Sequence, residues 1–202
     1  MVGPVIEFAL SRPDVDPARI ALLGNSMGGV LTPRAAAFEP RIAALITLDG
    51  VYDLGTIATM GLPGDRAEIE RRLRADSDPE LDEVLDRAAQ ESPTLRWAIA
   101  QGRFTFGVDT AREFCAAYLD YHVRDGIAER ITCPTLVCAG TEDGFFKGQP
   151  ELLYAHLTCP KTLLSFTAAE GADAHCQSGA QRLAFARVYD WLDDTFEAAV
   201  SG

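Results

Sequence analysis

Four short, mostly apolar runs punctuate the chain: Ile20–Leu23, Ala43–Leu48, Thr135–Ala139 and Thr162–Phe166. They are too short for buried helices and lack the strict alternation of a half-solvated strand. They are therefore predicted as strands buried on both faces, as in a parallel sheet with helical crossovers. Helix-forming segments separate them, with Pro4–Ser11 before the first run and Val30–Phe38 after it. Between Tyr52 and Ala128 this rhythm stops. Asp65–Asp76 and Pro79–Gln90 read as charged amphipathic helices, and Pro93–Gln101 and Thr110–Val123 as helices with more aromatic residues. The expected organisation is an α/β core from 1–51 and 129–202, carrying a helical insertion over 52–128.

The first strand runs directly into Gly24-Asn25-Ser26-Met27-Gly28 and then into a helix. The G-x-S-x-G spacing alone recurs in ordinary loops; between a buried strand and a helix it predicts a nucleophile elbow. Such a turn forces the serine into a strained conformation, and small residues two places before and after it, Gly24 and Gly28, leave room. It lifts the Ser26 hydroxyl clear of the backbone and turns the N–H of Met27 toward a developing oxyanion.

A serine hydroxyl needs an oriented base to act as a nucleophile at neutral pH. Three histidines are candidates. His122 and His156 fall in helical patterns, where a packed or solvated imidazole is the expectation. His175 lies in a loop beyond the last apolar run, where a rigid sheet presents reactive side chains. Asp143, in Thr141-Glu142-Asp143-Gly144 after the third run, is the expected carboxylate partner, with Glu142 directed to solvent. Asp49 and Asp53, after the second run, are rival acids, although Asp-Gly commonly marks a turn. Ser26, Asp143 and His175 occur in the chain order of α/β-hydrolases.

Val15-Asp16-Pro17-Ala18-Arg19-Ile20 leading into Gly-Asn-Ser-Met-Gly-Gly resembles the dipeptidyl-peptidase and esterase-like α/β-hydrolases. Arg34–Ile42, Thr141–Phe146 with Gly148-Gln149-Pro150, and Gly171–Gln177 are similar to the branch with 2,6-dihydropseudooxynicotine hydrolase and the fermentation–respiration-switch esterases. The resemblance runs from Pro4 to Asp194. It implies a partial α/β-hydrolase fold with a mostly parallel sheet and a helical lid, a Ser26–Asp143–His175 triad, and cleavage of an ester, amide or activated carbon–carbon bond. It also places several strands and the loop with the second oxyanion donor before the elbow. By this resemblance the N-terminal strands are missing and the chain corresponds to the C-terminal part. Weak activity alone is expected, with association as a homodimer through the open Ile20–Leu23 edge.

Within the insertion, Trp97, Phe104, Phe106, Phe114, Tyr118 and Tyr121 form an aromatic group. Most such residues build a core, but a lid also presents apolar surface to a substrate. Trp97, Phe104 and Phe106, together with Asn25 at the elbow, are the expected substrate-binding residues for a small-molecule or peptide-like substrate. The 202 residues carry 30 acidic and 18 basic side chains, net −12, which disfavours nucleic acid or an anionic membrane as partner. No run approaches the roughly 20 apolar residues of a membrane span, and a cytoplasmic location is expected. Five cysteines form no C-x-x-C pair, and their odd number argues against a disulfide framework. No metal or cofactor is expected: Cys176 adjoins His175, but neighbouring side chains ordinarily point apart.

Overall fold

The structure, a computed structural model, describes residues 2–201. Two compact units are formed, one by residues 1–52 with 123–202 and the other by Asp53–His122, which lies within the expected insertion.

The first unit holds four strands, β1 (Ala21–Asn25), β2 (Ala44–Leu48), β3 (Thr135–Gly140) and β4 (Lys161–Phe166), each within two residues of an apolar run. They pair in parallel in the order β1-β2-β3-β4. Every carboxyl end therefore opens on the same edge of the sheet. The central strand β2 is buried throughout, whereas β1, at the edge, exposes Ala21, Leu23 and Asn25. Alternate residues serve opposite faces. On one face Leu45 and Val137 pack with Ile6 of α1 (Val2–Leu10), Ala36 of α2 (Gly28–Ala36), and Leu153 of α8 (Gln149–His156). On the other, Ile46, Leu48, Leu136 and Cys138 pack against Ala184 and Val188 of α9 (Gln181–Ser201).

The second unit is helical: α3 (Leu54–Thr59), α4 (Arg66–Leu73), α5 (Pro79–Glu91), α6 (Pro93–Phe106) and α7 (Ala111–Tyr118). Its helix starts were written locally. Asp53, Asp65, Asp78, Ser92 and Thr110 each cap a helix by accepting a hydrogen bond from its first turn. Ile69, Leu73, Leu81, Leu85, Ile99 and Phe114 form the core. The helix expected over Thr110–Val123 stops at Tyr118. His122 lies beyond it, in an antiparallel bridge with Asp53.

Arg112 ties this unit together. Its side chain is 6% exposed and bonds to Asp82 Oδ1 at 3.0 Å and to the carbonyl oxygens of Leu73, Ala75 and Asp76. Arg112→Met would keep the aliphatic stem and orphan these acceptors, at a cost of about 2–3 kcal/mol. Thermal and urea unfolding followed by circular dichroism check this, and an unchanged midpoint would contradict it.

Candidate active site

β1 ends in a sharp reversal. Ser26 has φ 55°, in the left-handed region that a serine rarely adopts, and Met27 at the N-terminus of α2 is already helical. The Ser26 N–H donates to Leu48 O at 3.2 Å, and the Val51 N–H donates to Gly29 O at 3.0 Å, so the elbow is fastened to the turn after β2. A Cβ at Gly24 would stand 2.2 Å from Gly28 O and 2.3 Å from Thr32 Oγ1. The second small position differs from the expectation. A Cβ at Gly28 would meet open space, whereas one at Gly29 would lie 2.1 Å from Asp49 O. Close packing of the elbow on the next strand's turn therefore falls on Gly29.

The loops beyond β3 and β4 complete the site. Ser26 Oγ lies 2.8 Å from His175 Nε2, and His175 Nδ1 lies 3.0 Å from Asp143 Oδ2. The other oxygen of Asp143 accepts the N–H groups of Phe145 at 2.7 Å and Phe146 at 3.2 Å. Both phenyl rings border the imidazole, with centroids 4.8 and 5.1 Å away. Burial opposes ionisation of Asp143, yet His175 and these two N–H groups outweigh it and lower its pKa. Glu142 is exposed.

Asp49 supplies a second carboxylate, with Oδ2 3.1 Å from His175 Nδ1. It is fully buried with φ 60° and accepts hydrogen bonds from the Cys176 N–H and, at 2.7 Å, from Gln177 Nε2. The Asp-Gly pair does form a turn, but the carboxylate faces the imidazole. Asp53, the other rival, caps α3 in the second unit and pairs with Arg66 at 2.7 Å. His175 is charged more readily than a free imidazole. Burial pushes its pKa down, but hydrogen bonds to Asp143, Asp49 and the Cys176 side chain carry it well above 6.5.

Chain direction explains why a neighbour of His175 takes part. Cys176 and Gln177 both adopt left-handed conformations, φ 53° and 51°, within a tight 3-10 turn. That curl overturns the assumption that adjacent side chains diverge. Asp49, His175 and Cys176 each place a potential ligand atom within 4.8 Å of the others.

Asn25 is exposed at the end of β1 beside Ser26, and Met27 heads α2. Trp97, Phe104 and Phe106 belong to the second unit. Trp97 and Phe104 are 61% and 85% exposed, while Phe106 packs against Phe114, Tyr118 and Tyr121. His156 bonds to Glu129 at 2.9 Å and stacks on Tyr52, a packed role. Among the described residues, no helix is long and apolar enough to cross a membrane.

No family model matches the chain. It is 29% identical to hydrolase acrC of Aspergillus aculeatus over 202 residues, which is 96% of this chain and 46% of that protein. The chain thus spans about half the length of the curated relatives it matches first. Among solved structures, the α/β hydrolase GrgF from Penicillium sp. sh18 superposes with a TM-score of 0.61 at 19% identity, over 96% of this chain and 70% of that one. A 2,6-dihydroxy-pseudo-oxynicotine hydrolase gives 0.61 at 22% identity, over 98% and 46%. The chain has the α/β-hydrolase fold.

The double carboxylate has a measurable signature. With its folded pKa raised, His175 contributes stability that is present in full below 6.5 and is lost as pH rises through the raised value. Asp49→Asn removes one negative neighbour and keeps an acceptor in place. It should lower the His175 pKa by about 1–3 units, read by NMR titration of the imidazole. An unshifted titration would show that Asp49 exerts no charge effect on the ring.

Proposed function

We propose that the chain carries the reactive centre of a serine hydrolase working through an acyl-enzyme. The observation that supports this most directly is the relay from Ser26 Oγ to His175 Nε2 at 2.8 Å, continued from Nδ1 to Asp143 at 3.0 Å, with the serine on a left-handed elbow. Ser26 attacks a carbonyl carbon as Nε2 takes its proton, and the imidazolium that forms is stabilised by Asp143 and Asp49. The same proton then passes to the leaving group, and the acyl-enzyme is released by water activated at Nε2. The Met27 N–H, at the positive end of α2, contributes one oxyanion donor. The two carboxylates favour the imidazolium over neutral imidazole, which stabilises the intermediate stage and moves the working pH upward.

An ester, an amide or an activated carbon–carbon bond fits this chemistry, and small-molecule or peptide-like substrates fit the fold. Asn25 stands beside the nucleophile, and the exposed Trp97 and Phe104, with Phe106, are proposed as substrate-binding residues. The acidic chain uses no nucleic acid, and no cofactor enters the mechanism.

Active-site labelling tests the centre. A fluorophosphonate probe should label wild type at Ser26 and leave Ser26→Ala and His175→Ala unlabelled. Because these residues act as a unit, the double variant should turn over no more slowly than either single one. Asp143→Asn should reduce labelling at least about a hundredfold. Folded wild-type protein that resists the probe at every pH up to 10 would remove the proposal.

A second measurement addresses the aromatics. Trp97→Ala and Phe104→Ala should lower kcat/KM for bulky aryl esters about tenfold or more, while the rate with a small acetyl ester stays within about twofold. Equal losses on both substrates would assign these residues to the stability of their own unit.

A further inference from the structure

We infer that Asp49, His175 and Cys176 form a binding site for one thiophilic divalent cation, of the Zn²⁺ or Cd²⁺ type, whose occupation switches off the Ser26–His175 pair. The regulatory half of this inference rests on the hydrolase reading above; the binding half does not.

The donors are an imidazole nitrogen, a carboxylate oxygen and a thiol sulfur, the set that borderline and soft cations prefer over Mg²⁺ or Ca²⁺. Their ligand atoms lie within 4.8 Å of one another, and Asp49 Oδ2 is already 3.1 Å from His175 Nδ1. Ligands around tetrahedral zinc sit about 3.3–3.8 Å apart, so closing the set takes about 1 Å, within reach of a Cys176 side-chain rotation. The surroundings are prepared. Asp49 is held by the Cys176 N–H and Gln177 Nε2, which fixes its free lone pairs toward the imidazole, as outer partners orient metal ligands.

A second observation comes from Gln177. Its side chain is fully buried, and Oε1 has no hydrogen-bond partner among the described residues although Nε2 of the same amide holds Asp49. A buried amide oxygen left alone is costly. A water on the cation's fourth position would donate to it and remove that cost. The left-handed pair Cys176–Gln177 thus delivers both a thiol and an unused acceptor to the same carboxylate.

The chemistry balances. From the imidazolium form, the entering M²⁺ displaces the proton on Nδ1 and the proton on Sγ, and both carboxylates remain charged. Two protons leave and two positive charges arrive. The imidazole that remains keeps its single proton on Nε2, 2.8 Å from Ser26 Oγ. It can then only donate to the serine and has no lone pair free to accept its proton, so the nucleophile is silenced without being touched.

Cadmium titration of the purified chain tests this, read by the thiolate-to-cadmium charge-transfer absorbance and by equilibrium dialysis. One Cd²⁺ should bind per chain with thiolate absorbance. Cys176→Ser and Cys176→Ala, each shown folded by circular dichroism, should lose the absorbance. Their affinity should fall beyond the roughly 10–100-fold that an outer-shell partner costs. Zn²⁺ should compete with Cd²⁺ and block fluorophosphonate labelling of wild type, with a chelator restoring it, while the labelling that remains in Cys176→Ala is insensitive to Zn²⁺. Absorbance that persists in both variants would place the ion on another cysteine and overturn the inference, as would folded wild type that binds no cadmium. A chain that binds Cd²⁺ through Cys176 yet never labels at Ser26 would uphold the site and remove the hydrolase reading alone.

Discussion

The site depends on one buried carboxylate. Asp49 has no solvent contact, and an ion removed from water costs several kcal/mol unless its lone pairs are used. Here they are used by groups from a different part of the chain: the Cys176 N–H, Gln177 Nε2 and the His175 imidazole. Since β3 lies between β2 and β4, Asp49 clamps together two carboxyl-terminal loops whose strands never pair. Its own backbone oxygen is the surface against which Gly29 packs. The same residue therefore sets where the elbow rests and where the histidine loop is caught.

Strain is distributed accordingly. Five non-glycine residues among those described have positive φ, and Ser26, Asp49, Cys176 and Gln177 are four of them. Each left-handed residue costs on the order of 1–3 kcal/mol and persists only where its neighbours over-determine it. All four follow strand ends on the same edge of a parallel sheet. The fifth, Asp125, lies outside this group. Buried β2 and β3 provide the rigid base that tolerates such a concentration.

Local signals in the sequence carried the framework. Apolar runs located the strands, because a strand covered on both faces has no polar register to disguise it, and amphipathic patterning located the helices of the second unit. The elbow was legible for the same reason, standing directly beyond a run, and the loop histidine because it lies in the segment between the last run and the final helix. What escaped depends on contacts across long separations. Asp49 meets Cys176 from 127 positions away, and nothing within its own Asp-Gly turn signals that partner. The direction of the Cys176 thiol follows from a left-handed backbone that an ordinary residue type conceals. Close packing falls on Gly29 rather than Gly28 because the atom it would meet, Asp49 O, lies on another strand's turn. The pattern around His122 is helical because the apolar periodicity continues past Tyr118, where an antiparallel bridge to Asp53 takes over the backbone bonding.

That bridge has a consequence for how the chain folds. The strands β2 and β3 are neighbours in space but are separated by residues 49–134, a long excursion for a pairing to close. The excursion returns to its origin. Asp53 and His122 are bridged, and just outside them the Val123 N–H donates to Tyr52 O at 2.9 Å. Once the helices between have assembled, the polymer joining β2 to β3 behaves as a short tether with its ends already met, and the entropy of closing it is that of a few residues. Even for an unstructured loop, doubling its length adds only about 0.6 kcal/mol. Selection can therefore lengthen, shorten or replace the helical segment between Asp53 and His122 with little effect on the pairing of β2 with β3, so that the sheet and the helical unit are free to diverge separately.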